Sequence, residues 1–320
     1  MKASAPGKVI LFGEHAVVYG RPALAVPVTQ VRAEAEVTAS SQPGIWIEAP
    51  AIGLSANLST LPAEHPLSVL IHNLLSGLGI RPHPDVMIRI TSTIPVASGM
   101  GSGAAVSACL IRALALFLGR PLTDAQVSDY TFEIEKLHHG TPSGIDNTVV
   151  AYARPVYFRK GRPIEMLQVR APFTIVIGYT GVPAPTREAV SDVRRLWESS
   201  PGEWDVVLDG IGALAGMARE AIENGVWRHL GPLMNENQAL LQRLTVSSPE
   251  LDRLVAAARQ AGALGAKLSG GGRGGNMIAL APSAERAAAA GIETALRDAG
   301  ASMTVVTSIG ATEPSRDILI

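Results

Sequence analysis

Pro95-Val-Ala-Ser-Gly-Met-Gly-Ser-Gly-Ala-Ala105 sets three glycines and two serines directly ahead of a long apolar run that reaches Leu118. From Gly103 to Leu118 the residues are good helix formers, and Arg112 carries the only charge, so the length and composition predict a buried helix. A loop of this kind lets successive backbone N–H groups converge on one anion, and the helix N-terminus behind it adds about half a positive charge. Phosphate suits such a place. The same string also fits a plain strand-to-helix connection. The glycine spacing matches neither G-x-x-x-x-G-K-[ST] nor G-x-G-x-x-G, which weighs against P-loop and Rossmann folds.

Outward from that loop the periodicity changes. Val31, Ala33, Ala35 and Val37 alternate with Arg32, Glu34 and Glu36, as a half-buried antiparallel strand requires. Val86 to Ile94 partly repeats the pattern. Thr123 and Gln126 have capping-box spacing, and Val127, Tyr130, Ile134 and Leu137 follow at helical intervals up to Gly140. That helix delivers His138 and His139 to a loop. Further on, Phe173 to Ile177 reads as a buried strand and Thr186 to Trp197 as a helix. Ser248 and Pro249 start a helix that stops at Gly262, and Pro282 with Ser283 opens the last long one. Strands and helices mix without strict alternation, so the expected fold is α+β with two layers per domain. A chain of 320 residues exceeds a single core. Two domains are expected, 1–160 and 161–320, with the boundary between Arg154 and Arg170.

Composition narrows the class. Hydrophobic residues make up 47% and charged residues 17%, ample material for packed layers. A net charge of −1 provides no general attraction for nucleic acid or anionic membrane, so neither is expected as a partner. Cys109, the one cysteine, sits among Ala108, Leu110 and Ile111 and reads as a small core hydrophobe. Met1 to Lys8 shows no export signal, and no apolar run approaches the roughly 18 residues of a membrane span. A cytoplasmic protein is expected.

Two further glycine-bearing segments flank the first. Ala5-Pro-Gly-Lys-Val-Ile-Leu-Phe-Gly-Glu-His-Ala-Val-Val-Tyr-Gly20 places Lys8, Glu14 and His15 around a short apolar strand. Lys267-Leu-Ser-Gly-Gly-Gly-Arg-Gly-Gly275 couples a short strand to a loop able to approach a ligand closely. Taken singly, Lys8 reads as a solvated lysine, Asp146 within Ser143-Gly-Ile-Asp-Asn147 as a turn residue, and Glu135 as an exposed helix residue. The adjacent His138 and His139 lack the spacing of zinc ligands.

Together, the three segments resemble, in order and separation, the signature motifs of the galactokinase, homoserine kinase, mevalonate kinase and phosphomevalonate kinase (GHMP) superfamily. The wording Gly13-Glu-His-Ala-Val-Val-Tyr-Gly20 is closest to its mevalonate kinases, and His139-Gly-Thr-Pro-Ser-Gly-Ile-Asp-Asn147 and Thr180-Gly-Val-Pro-Ala-Pro-Thr-Arg-Glu-Ala-Val190 agree. The resemblance implies a two-domain fold with mixed sheets, helices on one side and an active site in the cleft between domains. It implies ATP and mevalonate as substrates and Mg²⁺ as cofactor. By the same resemblance Asp146 is the catalytic aspartate and Lys8 its lysine. Glu135 and Ser102 are the metal-binding positions. Ser92, Ala97, Ser98, Gly99, Met100, Gly101, Ser102 and Gly103 face the nucleotide, and Glu14, His15 and Thr186 the acceptor. These residue types suit phosphoryl transfer, whose loose transition state asks for positioning and charge neutralisation. A carboxylate can take the acceptor proton, and carboxylates such as Glu135 suit Mg²⁺.

Two of the three segments depart from the family wording. Gly103 stands where relatives carry a metal-binding serine, leaving Ser102 or water to supply that oxygen. In the third segment Arg273 replaces a glycine and Asn276 a cysteine. The competing readings are a relative acting on phosphomevalonate, for which Arg187 and Arg194 supply basic groups, a homoserine kinase, and a non-catalytic sensor. A homodimer is what the family suggests.

Overall fold

The structure is a computed structural model that describes residues 1–139, 142–184 and 186–310, without the side chains of His138 and His139. The loop expected after His139 begins outside the described residues.

The first sheet is built from β1 (Lys2–Phe12), β2 (Ala23–Ala39), β3 (Ile45–Ala49), β4 (Leu54–Asn57), β5 (Val86–Ser92), β6 (Val156–Phe158) and β7 (Glu165–Met166). Its order is β4-β3-β5-β2-β6-β7, with β1 also paired to β2. Only β3 and β5 run parallel among these pairs, so the sheet is mixed. The alternation between Val31 and Val37 is realised on β2, whose odd-numbered residues there are buried. Pairing Ala35 with Ile90 and Val37 with Ile88 puts the apolar faces of β2 and β5 on the same core.

Four helices belong with that sheet: α1 (Pro66–Gly77), α2 (Ser102–Phe117), α3 (Asp124–His139) and α4 (Ile145–Tyr152). Buried residues lie all around α2, as expected of a helix with one charge, and Arg112 meets the Asp124 carboxylate at 2.7 Å. The capping box forms: Thr123 N–H donates to Gln126 Oε1 at 3.0 Å, and Gln126 N–H donates to Thr123 Oγ1 at 3.3 Å.

The second sheet, β11-β8-β10-β9, is antiparallel throughout and comprises β8 (Phe173–Tyr179), β9 (Gly265–Ser269), β10 (Asn276–Leu280) and β11 (Met303–Ile309). Around it lie α5 (Thr186–Ser199), α6 (Pro201–Glu223), α7 (Leu230–Arg243), α8 (Pro249–Gln260) and α9 (Ala290–Asp298). Sheet pairing carries the first unit past the boundary expected at 160, because Glu165 and Met166 pair with Tyr157 and Val156. The change of sheet falls between Met166 and Phe173. The last helix also starts later than Pro282 and Ser283 suggest. Ser283 Oγ instead accepts the Glu285 N–H, a local turn that competes with helix, and a 3₁₀ turn at Arg286–Ala289 precedes α9. One continuous apolar cluster runs from β1, β2 and α2 into β8 and α6, so the two units share a core. No helix of the described residues is long and apolar enough to cross a membrane.

Candidate active site

Where the two sheets meet, a cavity of about 950 Å³ opens between the 95–103 loop, α3 and α4 on one side and α5 with the 270–271 turn on the other. Ile52, Pro66, Leu67, Ile90 and Val106 are among its apolar lining residues, and Lys8, Glu135 and Asp146 among its polar ones.

Lys8 is on β1, almost fully buried, and its N–H donates to the Met100 carbonyl at 3.0 Å, which fastens the strand to the glycine loop. Its stem lies against Gly101, where a Cβ would come within 2.9 Å of Lys8 Cγ. The Nζ reaches Asp146 Oδ2 at 3.0 Å. Asp146 occupies the first turn of α4, where unsatisfied N–H groups favour a negative charge. Glu135, buried on α3, completes the group. Burial first, and the Asp146 charge second, push its carboxyl up to about 8, while Lys8 pulls the other way. Two carboxyl groups therefore stand beside one lysine in the cavity.

On the opposite wall His15 adopts a left-handed backbone at φ 59° and sets its Nε2 3.0 Å from the Gly271 carbonyl oxygen. Burial, with Arg273 adding to it, lowers its pKa to about 4, against the opposing effect of the Gly271 bond. The imidazole is neutral near pH 7. Thr186 starts α5 and packs against Gly271, and Arg187 and Arg194 line the cavity from the same helix.

The loop itself is shaped by left-handed residues at Ala97 (φ 56°), Gly99 (φ 85°) and Gly101 (φ 73°), the last being the N-cap of α2. Ser98 Oγ accepts the Met100 N–H at 3.3 Å. Ser92 Oγ serves its own strand end by accepting the Ile94 N–H at 3.1 Å. Of the residues read from the sequence as facing a ligand, all but Met100 line the cavity. The Met100 side chain points into the core instead and is fully buried. Glu14 lines the wall, but its carboxylate is engaged: Lys267 pairs with Oε1, Asn237 Nδ2 donates to Oε2 at 3.1 Å, and both charged side chains are wholly buried. Burial lowers the pKa of Lys267. Lys267 is a partner that the sequence did not signal, because it lies 253 residues from Glu14.

No group of three or more candidate metal-ligating side chains exists among the described residues. One buried carboxylate and the Ser102 hydroxyl nevertheless match the oxygen donors of Mg²⁺, which usually takes one or two carboxylates and completes its shell with phosphate and water. Burial first and the Asp146 charge second disfavour the ionised Glu135 carboxyl, and a bound cation would offset both.

Comparison with known proteins gives the family. Residues 67–154 match the family model of the GHMP kinases N terminal domain, and residues 218–302 match that of the GHMP kinases C terminal. The mevalonate kinase of Pyrococcus furiosus is 39% identical over 93% of this chain and 93% of its own. That of Saccharolobus solfataricus is 31% identical over 88% of this chain and 90% of its own. Among solved structures, the L. major mevalonate kinase in complex with R-mevalonate superposes with a TM-score of 0.83 at 29% identity, covering 97% of this chain and 95% of that one. The Streptococcus pneumoniae phosphomevalonate kinase in complex with phosphomevalonate and AMPPNP shares the fold, with a TM-score of 0.80 at 18% identity over 96% of this chain and all of that one.

Proposed function

The chain belongs to the mevalonate kinases of the GHMP family, and from that premise we propose that it transfers the γ-phosphoryl group of ATP to the 5-hydroxyl of mevalonate. The observation that carries this reading is the Lys8–Asp146 pair at 3.0 Å, set in a cavity between a glycine loop that opens a helix and a second wall bearing His15, Thr186 and Arg187.

In this reading the adenine base lies against the apolar lining of the cavity and the phosphates lie along the loop from Ala97 to Gly103. Their negative charge meets the backbone N–H groups and the N-terminus of α2. Asp146 accepts the proton of the acceptor hydroxyl as that oxygen attacks the γ-phosphorus, and ADP leaves with the bridging oxygen. Lys8 holds Asp146 in place and stabilises negative charge on the attacking oxygen. Glu135 and Ser102 would hold Mg²⁺, which when bound neutralises charge on the phosphate oxygens. His15, uncharged at neutral pH, offers a hydrogen bond rather than a charge to the acceptor. Arg187 supplies a cation for its carboxylate. Glu14 acts from behind this surface, fixing the turn that carries His15 through its buried bond to Lys267.

An ADP-release assay over mevalonate, phosphomevalonate, galactose and homoserine tests the proposal. Mevalonate is expected to give the highest kcat/KM, because a phosphorylated acceptor brings about two further negative charges toward the ATP phosphates. A higher kcat/KM for phosphomevalonate overturns the acceptor assignment, and no turnover with any alcohol overturns the enzymatic reading.

A further inference from the structure

Asn276 opens β10, is buried, and reaches into the glycine loop of the other unit, where Nδ2 donates to the Ser98 carbonyl at 2.6 Å. Only the NH₂ group can face a carbonyl, which fixes the orientation of the amide. Its Oδ1 is buried and finds no protein donor among the described residues. A buried amide with half its bonding capacity unmet is less stable than an apolar side chain of similar volume. Packing alone therefore gives no reason for asparagine at this position.

The loop supplies one. In a trans peptide the carbonyl and the following N–H point in opposite directions. Drawing the Ser98 carbonyl toward β10 turns the Gly99 N–H the other way, and Gly99 lines the cavity. The preceding carbonyl, that of Ala97, is held from the same side by the Ala184 N–H at 3.2 Å. Ala97 sits at φ 56°, a conformation uncommon for a residue with a Cβ and kept only where the surroundings enforce it. Two successive carbonyls are thus pulled back by the second unit.

We propose that Asn276 is a positioning residue for the nucleotide: its amide holds the Ser98–Gly99 peptide in the one orientation that presents the Gly99 N–H to a phosphate oxygen. The inference rests on the loop being the ATP phosphate site. It makes the nucleotide half of the cavity dependent on a side chain from the opposite unit, without that side chain touching the ligand.

Asn276→Leu keeps the branched outline, removes the donor and removes the unpaired oxygen. The variant is expected to remain folded, yet to bind Mg²⁺–ADP about tenfold more weakly by calorimetry without acceptor, the scale of one lost backbone-directed hydrogen bond. The KM for ATP rises by a similar factor, and the KM for mevalonate stays within about twofold. A folded Asn276→Leu that binds ADP as tightly as wild type overturns the inference. If leucine prevents folding, Asn276→Ala is measured in the same way, with the same deciding result. A wild-type protein that binds no ADP overturns the phosphate-loop reading itself, so the two failures are distinct.

Discussion

The two glycine segments that meet at the cavity are alike in composition and opposite in use. In the 95–103 loop, a Cβ on Gly99 would come no closer than 3.6 Å to any neighbour, and that neighbour is Asn276 Nδ2. A side chain there would make only ordinary van der Waals contact. In the 267–275 segment, a Cβ on Gly272 would fall 1.9 Å from the Val246 carbonyl oxygen, and one on Gly274 would lie 2.8 Å from the carbonyls of both Val182 and Pro183. Here the missing side chains admit other stretches of the protein's own backbone. In the first segment Gly99 has room while Gly101 admits the Lys8 stem, whereas the second is glycine-rich mostly for backbone packing, and only Gly270 and Gly271 of it reach the cavity. A glycine cluster thus marks close approach without saying what approaches.

Alanine substitution separates the two uses. Gly272→Ala forces backbone apart in a packed region at a left-handed φ of 77°, and is expected to cost at least about 3 kcal/mol. Thermal melting should fall by roughly 6 to 12 °C, or no folded protein should be recovered. Gly99→Ala meets no clash and carries only the left-handed penalty, about 1 to 2 kcal/mol. Its loss should appear in ADP binding, measured by calorimetry, more than in melting. Equal destabilisation by the two substitutions would dissolve the contrast.

A pH-dependent effect tests the link between the second segment and the acceptor wall. His15 is buried against the Gly271 carbonyl, and its pKa is lowered to about 4 from an unfolded value near 6.5. Between those values the unfolded chain binds the proton and the folded chain does not. Stability conferred by the neutral imidazole is therefore fully present above pH 6.5 and is lost as pH falls toward 4. From pH 6.5 to 5 the loss amounts to about 2 kcal/mol. Melting curves of His15→Gln should be flatter than wild type over that range. Parallel curves would show that His15 is not held neutral.

Much of the fold is legible because its signals are local. The alternation of Val31 to Val37 reads correctly since one face of β2 is core and the other solvent, and Thr123 with Gln126 caps α3 through bonds spanning three residues. The helices α6 and α7 escape such reading. Gly202, Gly210, Gly212 and Gly216 weaken the helical signal of α6, and Gly212 is accommodated because Arg21 packs where its Cβ would be. The site divides in the same way. Lys8, Asp146 and the loop lie in motifs that can be read as strings, and all come to the cavity. Met100 belongs to such a string too, but the left-handed turns at Gly99 and Gly101 send its side chain to the core. Glu14 reads as a polar group near the acceptor, whereas its dry bond to Lys267 depends on a residue from the other sheet. Pairings across the two units leave no local trace, and Asn276 with Ser98 is the same case.

The most direct test of the account is the turnover of Asp146→Asn with mevalonate and ATP, alongside ADP binding by the same protein. The amide keeps the shape of the side chain but cannot take the acceptor proton or attract Lys8 as an ion. The account predicts a fall in kcat of about 100- to 10,000-fold with ADP affinity within a few-fold of wild type. Turnover within a few-fold of wild type would contradict it.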